Sequence, residues 1–225
     1  MQIVRLKSQH SVSPYAPTWD IPMGLCQWMK WHKIDEIKEF LLSKEDYILS
    51  LPYNTDANTR LKEDSITTRF GKYHLFDFVD ECPALEELLE WIKEQYREFV
   101  LLDQTQLFEL DFSCWYNIIR TGDEIKSHRH ASDPLAYLSG NMHLDNYDSF
   151  TCYNHMGMIN NIPNIKGGLT FFPSYLKHGV DKYMGKEPRV SLAFDTYIKF
   201  DLVNVFQIDT ELHALPKEVN LKTFI

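Results

Sequence analysis

GGLTFFPSYLKHGV, residues 167–180, carries the pattern from which the fold is read. Its first half is an apolar, aromatic-rich run, which is a strand signature, and Pro173-Ser174 ends that run as a turn signal. His178 follows close behind. Eleven residues further on stands RVSLAFD, residues 189–195. It reads as a second strand, in which Arg189 and Ser191 are two apart and so share a face. Working backward, 108–119 and 135–145 have the same character, being short, β-branched and aromatic, with Gly, Asn and Pro between them.

Before about residue 107 the pattern is different, and the first hundred residues read as mostly helical. Ile34, Ile37, Phe40 and Leu41 have helical spacing over 33–42. The clearest helix is 83–102. Pro83 suits its first turn, Glu86 and Glu87 lie near its positive end, and Leu85, Leu88, Leu89, Ile92, Tyr96 and Phe99 form one apolar face. The polar stretch 53–64 reads as an exposed loop, and 69–79 (RFGKYHLFDFV) as a short strand or hairpin. The long, Asn-rich segment 145–166 reads as a loop that could cover a pocket, with Tyr153, His155 and Met156 on it. The expectation is a mainly β fold with N-terminal helices. It is a sandwich or jelly roll with helices packed on one sheet, divided into a helical part over 1–106 and a β core over 107–225.

Composition narrows the function. The 225 residues are 44% hydrophobic and 14% aromatic, which is core-forming material and the reverse of a disordered chain. The net charge of −9, with no long basic run, argues against nucleic-acid partners and against an anionic membrane surface. No run of about 18 apolar residues predicts a membrane span, and the N-terminus lacks a secretory apolar region. Cys26, Cys82, Cys114 and Cys152 are widely spaced and form no CxxC pair, as expected of a reduced, cytoplasmic protein.

The strongest chemical signal is SHRH, with His128 and His130 at strand spacing. Two imidazoles on one face can approach one ion together. Taken alone, the triplet is more often an incidental feature of a solvated strand, and His178 a surface histidine beside a turn. Arg189 offers a planar fork to a carboxylate, with Ser191 as a second donor, although a strand arginine is also commonly a surface ion-pair partner.

In their order, however, these elements resemble one family. HxH, then His178 forty-eight residues beyond His130, then Arg-x-Ser, is similar to the double-stranded β-helix (jelly roll, cupin-like) family of Fe(II)/2-oxoglutarate oxygenases. The likeness is nearest to the members found in bacteria and in tailed phages of cyanobacteria. Trp115-Tyr116-Asn117, Leu138-Ser139-Gly140, the block ending at His178 and the block from Arg189 to Phe194 match its pattern in register. The resemblance implies a dioxygenase, with hydroxylation as the default outcome. His128, His130 and His178 would bind Fe(II), and the enzyme would use 2-oxoglutarate and O2. Arg189 and Ser191 would hold the distal carboxylate of 2-oxoglutarate. His130 stands where most of the wider superfamily carries Asp or Glu, so Asp133 and Asp145 are alternative third ligands. His143 stands where relatives tend to have Tyr, and is either a cosubstrate donor or a satisfied core histidine. Asn117 is a further candidate cosubstrate contact. The substrate, a small molecule or a protein side chain, is not specified. Two other functions compete. One is a catalytically idle scaffold that assembles with itself or with phage structural proteins. The other is a cupin-like enzyme with another metal, against which Arg189 and Ser191 argue.

Overall fold

The computed structural model describes residues 1–8, 13–54, 65–130, 135–199 and 222–224. Strands β1 (Gln2–Lys7) and β2 (Asp20–Gln27) come first. Helices α1 (Trp31–Ser43), α2 (Glu45–Leu49) and α3 (Ala84–Leu102) follow. Then come β3 (Leu110–Ile119), β4 (Ile125–His128), β5 (Ala136–His143), β6 (Phe150–His155), β7 (Met158–Pro163), β8 (Gly168–Pro173), β9 (Lys177–Val180), β10 (Arg189–Ile198) and β11 (Lys222–Thr223). All pairings are antiparallel. They build a major sheet in the order β1-β2-β8-β5-β10-β3-β11 and a minor sheet in the order β4-β9-β6-β7. This is the expected jelly roll.

The alternation along β10 explains the layering. Val190, Leu192 and Phe194 are buried in the main apolar core together with the inward faces of α1 and α3. Arg189, Ser191, Ala193 and Asp195 point the other way, into a cavity between the sheets. One strand therefore serves both a helix-packed core and a polar site, as period-two geometry allows. α3 lies on the core side of the major sheet, where Phe99 stacks on Phe171 of β8 with centroids 5.9 Å apart. Of the apolar face read from the sequence, Leu85, Leu88, Ile92, Tyr96 and Phe99 are buried and Leu89 is half-buried, and the helix also buries Ala84 and Val100.

Gly140 on β5 makes this core possible. It is paired with Phe194 on one side and Phe171 on the other. A Cβ at Gly140 would lie 2.1 Å from Phe194 Cζ. That ring is buried in the core, edge-on to Phe171 at 5.7 Å. Gly140→Ala should therefore destabilise the fold by about 1–3 kcal/mol, the usual cost of overpacking. Denaturant unfolding measures this, and an unchanged midpoint would contradict the packing.

Three sequence expectations are corrected. Gln2–Lys7 and Asp20–Gln27 are strands and not helix: β1 and β2 widen the major sheet, with β2 paired to β8. The segment 69–79 is neither strand nor hairpin. Two 3-10 turns, Ile66–Arg69 and Leu75–Phe78, occupy this region. The second buries Leu75, Phe76 and Phe78 together, a spacing that suits a helical turn and not a period of two. The long segment 145–166 contains the β6–β7 hairpin, closed by the pair His155 and Met158. Its two-residue turn has Met156 at φ 48° and Gly157 at φ 85°. Two positive φ values suit the right-handed strand twist, and glycine takes one of them without strain. Most of the predicted loop 53–64 lies outside the described residues.

His74 caps the second 3-10 turn. Its Nδ1 accepts the Phe76 N–H at 3.3 Å, and its ring meets Phe112 edge-on at 4.8 Å. Burial, with the Lys222 charge adding to it, brings its pKa down to about 4. The native state thus binds fewer protons than the unfolded chain, whose histidine titrates near 6.5. His74 contributes its stability in full above pH 6.5, and that contribution is lost as pH falls toward 4, for a total of about 3 kcal/mol. His74→Asn keeps a capping acceptor and should flatten the stability curve across that window. An unchanged slope would contradict the assignment.

Candidate metal and cosubstrate site

The cavity between the sheets has a volume of about 380 Å³ and is lined by β3, β4, β5, β6, β8, β9 and β10, with Thr67 and Phe70 closing one side. At one end three imidazoles converge. His128 closes β4 and His178 lies on β9, directly opposite in the antiparallel register. His130 lies just past the end of β4, so the two histidines of SHRH do not share a strand. Its backbone N–H is tied to the Ser174 carbonyl at 2.9 Å, and this brings its ring alongside. Ring centroids are 4.4 Å apart for His128 and His178, and 5.0 Å for each pair that includes His130. One nitrogen of each lies within 4.8 Å of the other two, and no other such group occurs among the described residues.

Each ring has one nitrogen already engaged. His128 Nδ1 donates to the Lys126 carbonyl at 2.8 Å and His178 Nδ1 to the Leu176 carbonyl at 3.1 Å. His130 Nδ1 is bonded to the Asp195 carboxylate. In the neutral form of each ring this leaves Nε2 with its lone pair, the tautomer that a metal requires. Burial, then the nearby His130 charge, depresses His128 to about 4. Burial and both neighbouring imidazoles hold His178 well below its ordinary value. At His130 burial opposes the charge and hydrogen bond of Asp195, and the net shift is upward.

Arg189 enters the same cavity from the start of β10. It is 1% exposed, and its Nε and Nη1 make no hydrogen bond. Nη2 reaches only His143 Nδ1, at 3.4 Å. No carboxylate pairs with it among the described residues. Burial brings its pKa down to about 10, so it stays charged at neutral pH. A buried guanidinium without a counter-ion costs several kcal/mol, and an anion entering the cavity would offset that cost. Tyr147 braces this corner by accepting the Val190 N–H at 2.8 Å.

The other predicted residues are placed as follows. Ser191 sits two residues from Arg189 on the same face, flanked across the sheet by Asn117 and His143. Asn117 is buried, and its Oδ1 accepts from Thr67 Oγ1 at 2.6 Å, which orients the amide. His143 is buried and neutral, held well below its ordinary pKa first by burial and then by Arg189. Of the alternative ligands, Asp145 is bound to Lys38 at 2.5 Å and does not line the cavity, so it is not brought to the site. Asp133 lies outside the described residues. Sequence reasoning missed Asp195 and Thr67. Asp195 has the same strand parity as Arg189 and Ser191, and that signal was available. Thr67 had none, since its turn meets β3 only in the folded chain.

A family model described as "Putative 2OG-Fe(II) oxygenase" matches residues 145–195, which include His178, Arg189, Ser191 and Asp195. No curated protein matches the sequence. Among solved structures, the chain is similar to a Pseudomonas putida prolyl-4-hydroxylase at 12% identity and a TM-score of 0.56, covering 79% of this chain and 93% of that one. It is also similar to a Trichoplax adhaerens prolyl hydroxylase in complex with a hypoxia inducible factor oxygen degradation domain peptide fragment. There the identity is 9% and the TM-score 0.55, over 82% and 87% of the two chains. HygX from Streptomyces hygroscopicus, with nickel and 2-oxoglutarate bound, aligns at 10% identity and a TM-score of 0.52, over 79% and 83%. At these identities the likeness establishes the shared fold.

Proposed function

We propose that this chain is a non-haem Fe(II)- and 2-oxoglutarate-dependent dioxygenase that acts as a hydroxylase. The observation that carries the reading is Arg189, a buried, unpaired guanidinium facing the same cavity as a cluster of three imidazoles. A dicarboxylate that reaches both the ion and the guanidinium would satisfy both ends at once. His128, His130 and His178 would hold the iron, which when bound supplies the oxidative chemistry on O2. Arg189 would bind the distal carboxylate, with Ser191 and the Asn117 amide as neighbouring polar contacts. His143 accepts from Arg189 through Nδ1, so its proton sits on Nε2. It would act by orienting the guanidinium as well as by donating to the cosubstrate. Phe70, Trp115, Phe172 and Val180 line the remaining wall and would keep water from the reacting centre. An idle scaffold would gain nothing from a buried guanidinium whose Nε and Nη1 lack partners.

The distal carboxylate is the testable contact. Metal-loaded protein should bind 2-oxoglutarate far more tightly than 2-oxobutanoate, which has the keto acid but not the second carboxylate. Arg189→Lys keeps the charge and loses the fork, so the preference should shrink by roughly tenfold or more, the worth of about 1.4 kcal/mol. Calorimetric titration measures both ligands. Equal affinities in the native chain, or an unchanged preference in the variant, would rule Arg189 out as the clamp.

A further inference from the structure

Three neutral imidazoles leave a bound dication with its full charge, where two imidazoles and a carboxylate would reduce it by one. A carboxylate does stand at this site, one layer out. Asp195 Oδ1 accepts from His130 Nδ1 and, at 2.6 Å, from Ser139 Oγ. The Ser174 hydroxyl lies 3.1 Å from that of Ser139, and the Ser174 carbonyl is the acceptor for the His130 backbone N–H. Ring and main chain of His130 are thus fixed to one cluster drawn from β5, β10 and the turn after β8. Asp195 is 7% exposed, and among the described residues no Lys or Arg pairs with it, only the imidazole. A carboxylate so buried and without a cation is costly unless positive charge arrives on the far side of the ring.

The geometry points to Asp195 as a positioning residue for the metal, one that locks His130 with Nε2 presented and supplies through that ring the negative charge the three-imidazole set lacks. This rests on the iron reading above. It also balances the cavity: the dication and the Arg189 cation then face the Asp195 anion and the dianion of 2-oxoglutarate, and the formal charges cancel. Carboxylates behind a ligating histidine are a recurrent device for orienting the ring and raising its basicity. Here the same group would also do the charge-setting task of the carboxylate ligand that position 130 lacks.

Asp195→Asn tests this, because it keeps the acceptor oxygen and the size and removes the charge. The probe is Co(II), titrated anaerobically into the full chain and followed by its visible absorption, with 2-oxoglutarate then titrated into the Co(II)-saturated protein. We expect Co(II) affinity to fall roughly 10–100-fold. The Tm of the metal-free protein, measured at a pH where His130 is neutral, should not fall, since a buried carboxylate with no cation beside it has been removed. The affinity of the saturated protein for 2-oxoglutarate should hold or rise, because the dianion meets a more positive centre. A merely structural Asp195 would lower all three together, and that result overturns the inference, as does unchanged Co(II) affinity. If Asp195→Asn does not fold, Ser139→Ala loosens the carboxylate while keeping its charge. It should weaken Co(II) binding by a smaller factor, and no change there overturns the inference as well. The two levels separate cleanly. Native protein that binds Co(II) no better than His178→Ala overturns the iron reading and this inference with it, whereas tight native binding matched by Asp195→Asn overturns only the inference.

Discussion

Replacing Arg189 with methionine should make the ligand-free protein more stable and abolish its response to 2-oxoglutarate. The guanidinium is buried with Nε and Nη1 unsatisfied, and burial alone depresses its pKa. A methionine of similar length leaves no charge to desolvate and no donor to orphan. Exchanging a buried charge for an apolar side chain of like volume commonly stabilises by about 1–4 kcal/mol. For a chain of this size each kcal/mol is worth roughly 2–4 °C in Tm. The ligand response should move the opposite way. Metal-loaded native protein held at a hundredfold excess of 2-oxoglutarate over Kd should gain about 2.7 kcal/mol, and the variant should gain none. Thermal unfolding with and without the ligand measures both effects. A variant less stable than the native chain would mean that Arg189 holds the fold together instead of waiting for an anion.

The second large effect belongs to His178. It reaches the cluster from β9, far along the chain from His128 and His130, and meets His128 across the β4–β9 register. Its ring is neutral and its Nδ1 is occupied, so its removal deletes one lone pair from the set. His178→Ala should cost more Fe(II) affinity than the roughly 10–100-fold loss typical when an outer partner is removed. The apolar neighbours Phe172 and Tyr153 keep their own packing, so the fold should persist. His130→Ala separates the ligand from its alternatives. With Asp145 held by Lys38, an intact affinity in that variant would direct attention to Asp133 and to Asp195 itself. Equilibrium dialysis with Fe(II) under anaerobic conditions reads all of these. Native affinity in His178→Ala would remove the triad from consideration.

Much of this site was legible because strands write their geometry at period two. Arg189 and Ser191 share a face by spacing alone, and the structure puts that face toward the imidazoles. α3 was legible because its apolar face runs through five buried positions at helical intervals. What stayed hidden depends on pairing between distant segments. β2 pairs with β8 across more than a hundred residues, and nothing local in DIPMGLCQ announces that partner. The β6–β7 hairpin was obscured by its asparagines and by a Met-Gly turn in place of the usual Asn-Gly signal. SHRH suggested one strand bearing both histidines, yet β4 stops at His128, and the backbone bond to Ser174 places His130. Asp195 could have been read from its parity, but a lone carboxylate in an apolar strand shows its purpose only when His130 is seen against it.

The imidazole cluster and Arg189 should grip one and the same molecule. The direct measurement is the visible absorption of the native chain with Fe(II) and 2-oxoglutarate, without O2. Chelation of the ion by the keto acid should produce a metal-to-ligand charge-transfer band that appears only when protein, Fe(II) and 2-oxoglutarate are all present, and that Arg189→Met loses at the same concentrations. No band in the native chain at saturating Fe(II) and 2-oxoglutarate, or an undiminished band in Arg189→Met, would contradict that shared grip.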